Sequence, residues 1–156
     1  MLKRIYIETT IPSFYYEVRK EPEMVSRKNW TRQWWDNHSR HYDLVTSEAV
    51  INELQQGTYR NQKQALKLLE EIPILRIDED IKNTVQAYIK HKVMPAKPFG
   101  DAIHLALASY HKCDFLLTWN CNHLANANKF FHIRQINTML GLFIPSMVTP
   151  LELLGG

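Results

Sequence analysis

Asp43 to Gly57 reads DLVTSEAVINELQQG, and this stretch holds the unit on which the whole fold is built. DLVT is short, apolar and β-branched, so it predicts a strand. Ser47 follows with a hydroxyl suited to accept the free N–H groups of a first helical turn. EAVINELQQ then continues as a helix that Gly57 can close. A strand that turns directly into a capped helix is half of a parallel β-α-β unit.

The flanking sequence repeats the unit in both directions. Towards the N-terminus, Lys3 to Glu8 (KRIYIE) predicts a strand that ends near Glu8, before Thr9, Thr10 and Pro12. Ile11 to Tyr16 adds large apolar and aromatic groups, and Glu17 to Glu23 reads as a charged segment with Pro22 in a loop. Trp30, Trp34 and Trp35, with Arg32, Asp36 and Arg40 on other faces, predict an amphipathic helix over about 26–39. Towards the C-terminus, Ala65, Leu68, Leu69 and Ile72 share one face of a helix over 62–72, and Pro73 starts the strand ILRI. Asp78 caps a helix with Ile81, Val85, Tyr88 and Ile89 on one side, and Pro95 and Pro98 break the chain. A helix from Asp101 to about His111, a strand over 114–118 and the helix-like NHLANANKFF come next. A short strand near Ile133, a helix near Thr138, a strand over 146–148 and the short ending TPLELL complete the chain. Short strands alternating with longer helices predict an α/β fold: a mainly parallel sheet covered by helices on both faces, with right-handed crossovers.

The length of 156 residues fits one domain spanning 1–156, and 45% hydrophobic with 22% charged residues is an ordinary globular balance. No apolar run approaches the roughly 18 residues of a membrane span. The N-terminal MLKRIYIETT carries an acid inside a short apolar segment, so it reads as a strand and not as a secretory signal. The expected compartment is the cytoplasm. Cys113 and Cys121 show neither a CxxC nor a zinc spacing and read as reduced thiols. The net charge of +3 does not announce a nucleic-acid binder, yet Lys90, His91, Lys92 and Lys97 fall in a stretch without acids, and Arg27, Lys28, Arg32 and Arg40 face only Asp36. Two readings stand for such runs: solvated helix faces, or patches that contact phosphates.

In an open parallel sheet, ligands bind beyond the carboxyl ends of the strands. Glu8 ends the first strand, Glu53 lies on the helix after DLVT, Asp101 opens the helix GDAIHLALAS, and Asn120 follows DFLLT. Asp101 reads in two ways, as an N-cap or as a ligand. Glu48 rivals Glu53. Carboxylates that converge in a cleft repel unless a cation offsets them, and Mg²⁺ or Mn²⁺ held by a few carboxylates and waters is the natural complement. Such an ion polarises a phosphoryl oxygen and activates water for attack on a phosphodiester. The chain has no Gly-rich phosphate loop, no GxSxG and no HExxH, which argues against P-loop, serine-hydrolase and zinc-protease chemistry.

The stretches YIETTIPS, VTSEAVINEL, GDAIHLALA and LLTWN, with TPLELL at the end, resemble PIN-domain proteins of the VapC-like kind, the toxins of bacterial and archaeal toxin-antitoxin pairs. The resemblance implies a three-layer α/β/α sandwich and a metal-dependent ribonuclease site at Glu8, Glu53, Asp101 and Asn120. Glu8 and Asp101 would chiefly hold one Mg²⁺ or Mn²⁺, Glu53 would ligate directly or through water, and Asn120 would position water. It also implies RNA as substrate and an antitoxin protein as partner; a homodimer is an open option beside it. Two positions depart from the family pattern. Glu8 stands where Asp is usual, and its extra methylene moves the carboxylate by up to about 1.5 Å. Asn120 stands where Asp is common and brings a neutral carbonyl, which weakens the case for a second metal.

Two other functions stay open: a PIN-like module that binds RNA or protein without cutting, and a metal-dependent small-molecule phosphatase or hydrolase. His104 and His123 read as hydrogen-bonded structural residues, with a metal or base role as the alternative. Thr9, Thr10, Ser47 and Thr118 either serve the site or cap local backbone. The tryptophans admit core packing, a homodimer face or a groove for an antitoxin peptide. Lys97, Lys90, Lys92 and Arg27 are candidates for an RNA path.

Overall fold

A computed structural model describes residues 1–57, 61–97 and 99–155. Its strands are β1 (Arg4–Ile7), β2 (Asp43–Ser47), β3 (Ile74–Leu75), β4 (Phe115–Leu117) and β5 (Ser146–Val148). Its helices are α1 (Thr10–Tyr15), α2 (Pro22–His38), α3 (Glu48–Gln56), α4 (Gln62–Leu68), α5 (Glu79–Lys90), α6 (Phe99–Tyr110), α7 (Ala127–Leu140) and α8 (Pro150–Leu153), with a short 3₁₀ turn at Ser39–His41. The strands form one five-stranded sheet in the order β3-β2-β1-β4-β5. Every pairing is parallel. Flanked by helices, the sheet gives the three-layer α/β/α architecture expected.

The sequence explains why β1 is central. Ile5, Tyr6 and Ile7 are all fully buried, as a strand covered on both faces must be. Ile5 pairs with Leu44 on one side and with Phe115 on the other. Chain order reverses across β1 and β4, so their carboxyl ends border the topological switch point where α/β sheets bind ligands. At the opposite, amino edge, Arg4 donates from Nε to Asp43 Oδ2 at 3.0 Å, and its backbone N–H donates to Asp114 Oδ2 at 2.8 Å.

The helix starts follow the expected chemistry at Ser47, whose Oγ accepts from the Val50 N–H, and at Asp78, which accepts from the Ile81 N–H. Gly57 caps the end of α3. Thr149 and Glu152 form a capping box for α8. Helices α5 and α6 end in the same hydrogen-bond pattern. Val93 N–H reaches Tyr88 O and Cys113 N–H reaches Ala108 O, with Lys92 and Lys112 in the left-handed conformation usually given to glycine.

Several expectations are corrected. Pro22 is the first residue of α2 and not part of a loop, because a proline at that position gives up only an N–H that has no partner anyway. No strand forms near Ile133; that residue is buried on α7, which runs through Thr138. The segment after β4 makes turns before the helix starts at Ala127. Helix 62–72 stops at Leu68, and ILRI contributes only Ile74–Leu75 to the sheet. Helix α6 starts at Phe99, so Asp101 lies inside its first turn and is not its N-cap. Pro98 lies outside the described residues. Trp34 is fully buried, Trp30 stacks on Trp119 and Trp35 packs edge-on against Trp34, which assigns this aromatic group to the core. Cys113 is buried and Cys121 exposed, both free. No described helix is long and apolar enough to cross a membrane.

Candidate active site

Glu8 extends β1 past its last ladder residue, with its backbone N–H donating to Leu117 O across the switch point. The side chain is 4% exposed. One oxygen, Oε1, accepts from the Thr10 backbone N–H at 2.9 Å, from the Thr10 hydroxyl and from the Thr118 hydroxyl at 2.8 Å. Burial still pushes the carboxyl above its usual range, since these donors and the nearby His104 only partly offset the loss of water. Thr10 Oγ1 also accepts from the Trp119 N–H, and Thr118 Oγ1 from the Asn120 N–H, so the two threonines tie β1 to the turn after β4.

Asp101 is also buried, at 6% exposure. Asn120 Nδ2 donates to its Oδ1 at 2.9 Å, and His123 Nδ1 to its Oδ2 at 2.7 Å. Asn120 Oδ1 in turn accepts from the His123 backbone N–H at 3.1 Å. Both ends of the Asn120 amide are thus engaged, the nitrogen on Asp101 and the oxygen on the His123 backbone.

Glu53 projects from the middle of α3, and its side chain is 40% exposed. Its Oε1 lies 2.6 Å from His104 Nε2. Burial raises this carboxyl, but the hydrogen bond and charge of His104 outweigh burial and hold it below its usual range. Burial by itself would lower His104, yet Glu53, Glu8 and Asp101 all favour its protonated form and the balance is upward. The rival Glu48 accepts from the Ile77 N–H at 2.8 Å and so anchors the chain after β3. His104 and His123 are hydrogen-bonded as their sequence setting suggests, and their partners are two of the candidate carboxylates.

Residues 5–126 match the PIN domain family. The chain belongs to the PIN domain family. No curated protein sequence matches it at a significant level. This PIN domain shares its fold with a toxin-antitoxin complex from Klebsiella pneumoniae (TM-score 0.61, 19% identity, 94% of this chain and 97% of that one). A second similar structure is VapBC2 from Rickettsia felis bound to a DNA fragment from the VapBC2 promoter (TM-score 0.59, 12% identity, 94% and 98% covered). A third is VapC20 from Mycobacterium tuberculosis, a toxin that cleaves the sarcin-ricin loop (TM-score 0.56, 12% identity, 76% and 92% covered).

Among the described residues of this PIN domain, no three His, Cys, Asp or Glu side chains are grouped to enclose a metal ion. The donor chemistry nevertheless suits a hard cation held by one or two carboxylates and water: two acids are buried at one edge, and the bonds to Glu8 and Glu53 all fall on Oε1.

Two open grooves adjoin the site. One, of about 420 Å³, is lined by Glu8, Glu53, Phe14, Tyr16, Arg19 and Asn61 among others. Its cation Arg19 is spent on Glu17, whose carboxyl the Arg19 hydrogen bond holds down at about 2. The other, of about 500 Å³, runs from His123 past Lys129, Lys92 and Met94. Among the described residues neither lysine is paired with a carboxylate. Of the basic residues expected along an RNA path, Lys92 lines the second groove, whereas Arg27 pairs with Glu23 and lies over the Trp119 ring.

Proposed function

We propose that this PIN domain is an endoribonuclease dependent on Mg²⁺ or Mn²⁺ and the toxin of a toxin-antitoxin pair. The observation that supports this most is the placement of Glu8, Asp101 and Glu53 beyond the switch point, with Glu53 bonded to His104 and Asp101 to His123. The ion, when bound, would polarise the scissile phosphate and supply activated water. Glu8 and Asp101 would hold it, with Glu53 directly or through water. The chain's own contribution is orientation: Thr10 and Thr118 fix Glu8, and Asn120 and His123 fix Asp101. Lys92 and Lys129 draw the phosphates of a single-stranded or looped RNA along their groove towards Asp101. The cleaving activity named for the similar VapC20, and the antitoxin complexes among the similar structures, support RNA as substrate and an antitoxin as partner. Exposed Phe131 on α7 and Phe143 after it offer apolar surface for such a partner.

The test is incubation of the purified protein with structured and unstructured RNA and Mn²⁺. Cleavage is expected to stop with chelator and with Asp101→Asn; cleavage that survives both refutes the mechanism. The engagement of both Asp101 oxygens, one by Asn120 and one by His123, favours a second reading, a module that binds RNA or protein without cutting. Calorimetry separates the two, since such a module shows no Mn²⁺ binding that Asp101→Asn removes. The open grooves favour either reading over a small-molecule phosphatase.

A further inference from the structure

We infer that Gly100 and His104, one helical turn apart on α6, form a clamp that fixes the Glu53 carboxylate and are positioning residues for the ion site; the inference rests on the metal-nuclease reading above. A Cβ built on Gly100 would stand 2.8 Å from Glu53 Oε1, closer than real Cβ atoms come to a neighbour. The same oxygen lies 2.6 Å from His104 Nε2. Oε1 is therefore bracketed by bare helix backbone on one side and an imidazole on the other. Glu53 is otherwise a partly exposed side chain with several rotamers open to it.

The histidine is itself held. An ionised carboxylate only accepts, so Nε2 donates to Glu53 and Nδ1 faces the Tyr6 hydroxyl at 2.6 Å. That hydroxyl lies 2.6 Å from Ser47 Oγ, which accepts the Val50 N–H at the start of α3. The path closes on itself: from the cap of α3 to β1, across to α6, and back to Glu53 on α3. Tyr6, Ser47 and His104 are all buried, so solvent does not compete for these bonds.

Gly100 has no backbone reason to be glycine. It is helical and lacks the positive φ found at Gly141. Alanine is the better helix former there. The close approach of Glu53 explains the glycine, and it gives a test in which fold and function move in opposite directions. Oε1 is spent on the clamp, which leaves Oε2 to face the ion.

The experiment compares Gly100→Ala, His104→Gln and His104→Asn with the wild type by thermal melting, by Mn²⁺ calorimetry and by the ¹³C resonance of the Glu53 carboxyl in metal-free protein, assigned with Glu53→Gln. Gly100→Ala is expected to melt no lower than the wild type, to shift the Glu53 resonance and to bind Mn²⁺ about 10-fold or more weakly, as for loss of a ligand-orienting contact. His104→Gln places an amide nitrogen near the former Nε2 and keeps most of the affinity, whereas His104→Asn mimics Nδ1 and loses it. Wild-type affinity with an unmoved Glu53 resonance in Gly100→Ala overturns the clamp. Should wild-type protein bind no Mn²⁺, the nuclease reading falls, and the metal-free resonance alone decides the clamp: a shift in Gly100→Ala upholds it and no shift overturns it.

Discussion

The two ends of β1 treat acids differently. At the amino end, Asp43 and Asp114 both meet Arg4, through its guanidinium and its backbone N–H, and the guanidinium also donates to His111 O. At the carboxyl end, Glu8, Glu53 and Asp101 meet threonine hydroxyls, an asparagine and two histidines. The first group carries its own permanent counter-charge; the second holds two buried carboxylates, Glu8 and Asp101, and among the described residues none of its acids is paired with a lysine or arginine. One edge is complete as it stands, while the other is arranged around charge it does not itself cancel.

Glu8 separates the two edges most strongly. Glu8→Gln keeps an acceptor for the two threonines but removes a buried charge, so melting of the metal-free protein is expected to show a gain of about 1 kcal/mol. Calorimetry on the same variant should show Mn²⁺ affinity falling by about 100-fold. Loss of stability with intact Mn²⁺ binding would place Glu8 with the structural acids of the other edge. At about 100 times its dissociation constant, Mn²⁺ should stabilise the wild type by about 2.7 kcal/mol, roughly 5–11 °C in melting temperature, and chelator should reverse this. Glu8→Gln, binding about 100-fold more weakly, should keep only about 0.4 kcal/mol of this stabilisation at that concentration. At the amino edge, Arg4→Gln is expected to cost about 1 kcal/mol in denaturant titration and to leave Mn²⁺ affinity unchanged, since its pair with Asp43 is partly solvated.

A third region serves as reference. Tyr88 donates to Asn137 Oδ1 at 2.6 Å, and Asn137 Nδ2 donates to Ser109 Oγ and Phe143 O, a neutral buried network joining α5, α6 and α7. Burial pushes the Tyr88 hydroxyl up from 10.0 to about 12. Between those values the unfolded chain has released this proton and the folded chain has not, so the folded state binds more protons and stability falls as pH rises. Tyr88→Phe should flatten this alkaline limb, cost about 1 kcal/mol at neutral pH, and change nothing at either end of β1.

What the sequence made legible was local. Ser47 and Asp78 announced their helices because a cap lies next to what it caps, and the strand ends placed Glu8 and Asn120 at one edge once the sheet was known to be parallel. The boundaries that failed were those where a second rule competed. Pro22 reads as a breaker unless its place at a first helical position is known, and Ile133 joined a helix because α7 continues through it. The parts of the site that stayed hidden depend on distant partners: His104 lies 51 positions from Glu53 and 98 from Tyr6. His104 shows a periodic apolar helix but no sign of what its ring faces. Asp101 was recognisable as special, while its actual neighbours, Asn120 and His123, come from the far side of β4.

All four tryptophans lie on α2 or just after β4, with Trp30 stacked on Trp119 and Trp34 edge-on to Trp35. Trp119 donates from its indole to Thr31, and its backbone N–H reaches Thr10, which in turn holds Glu8. The protein therefore carries an intrinsic optical reporter two hydrogen bonds from a candidate ligand. Neither α5 nor α7 carries a tryptophan, so indole emission is expected to report on this cluster. Titrating an ion while watching that emission reads the carboxyl end of β1 without a label.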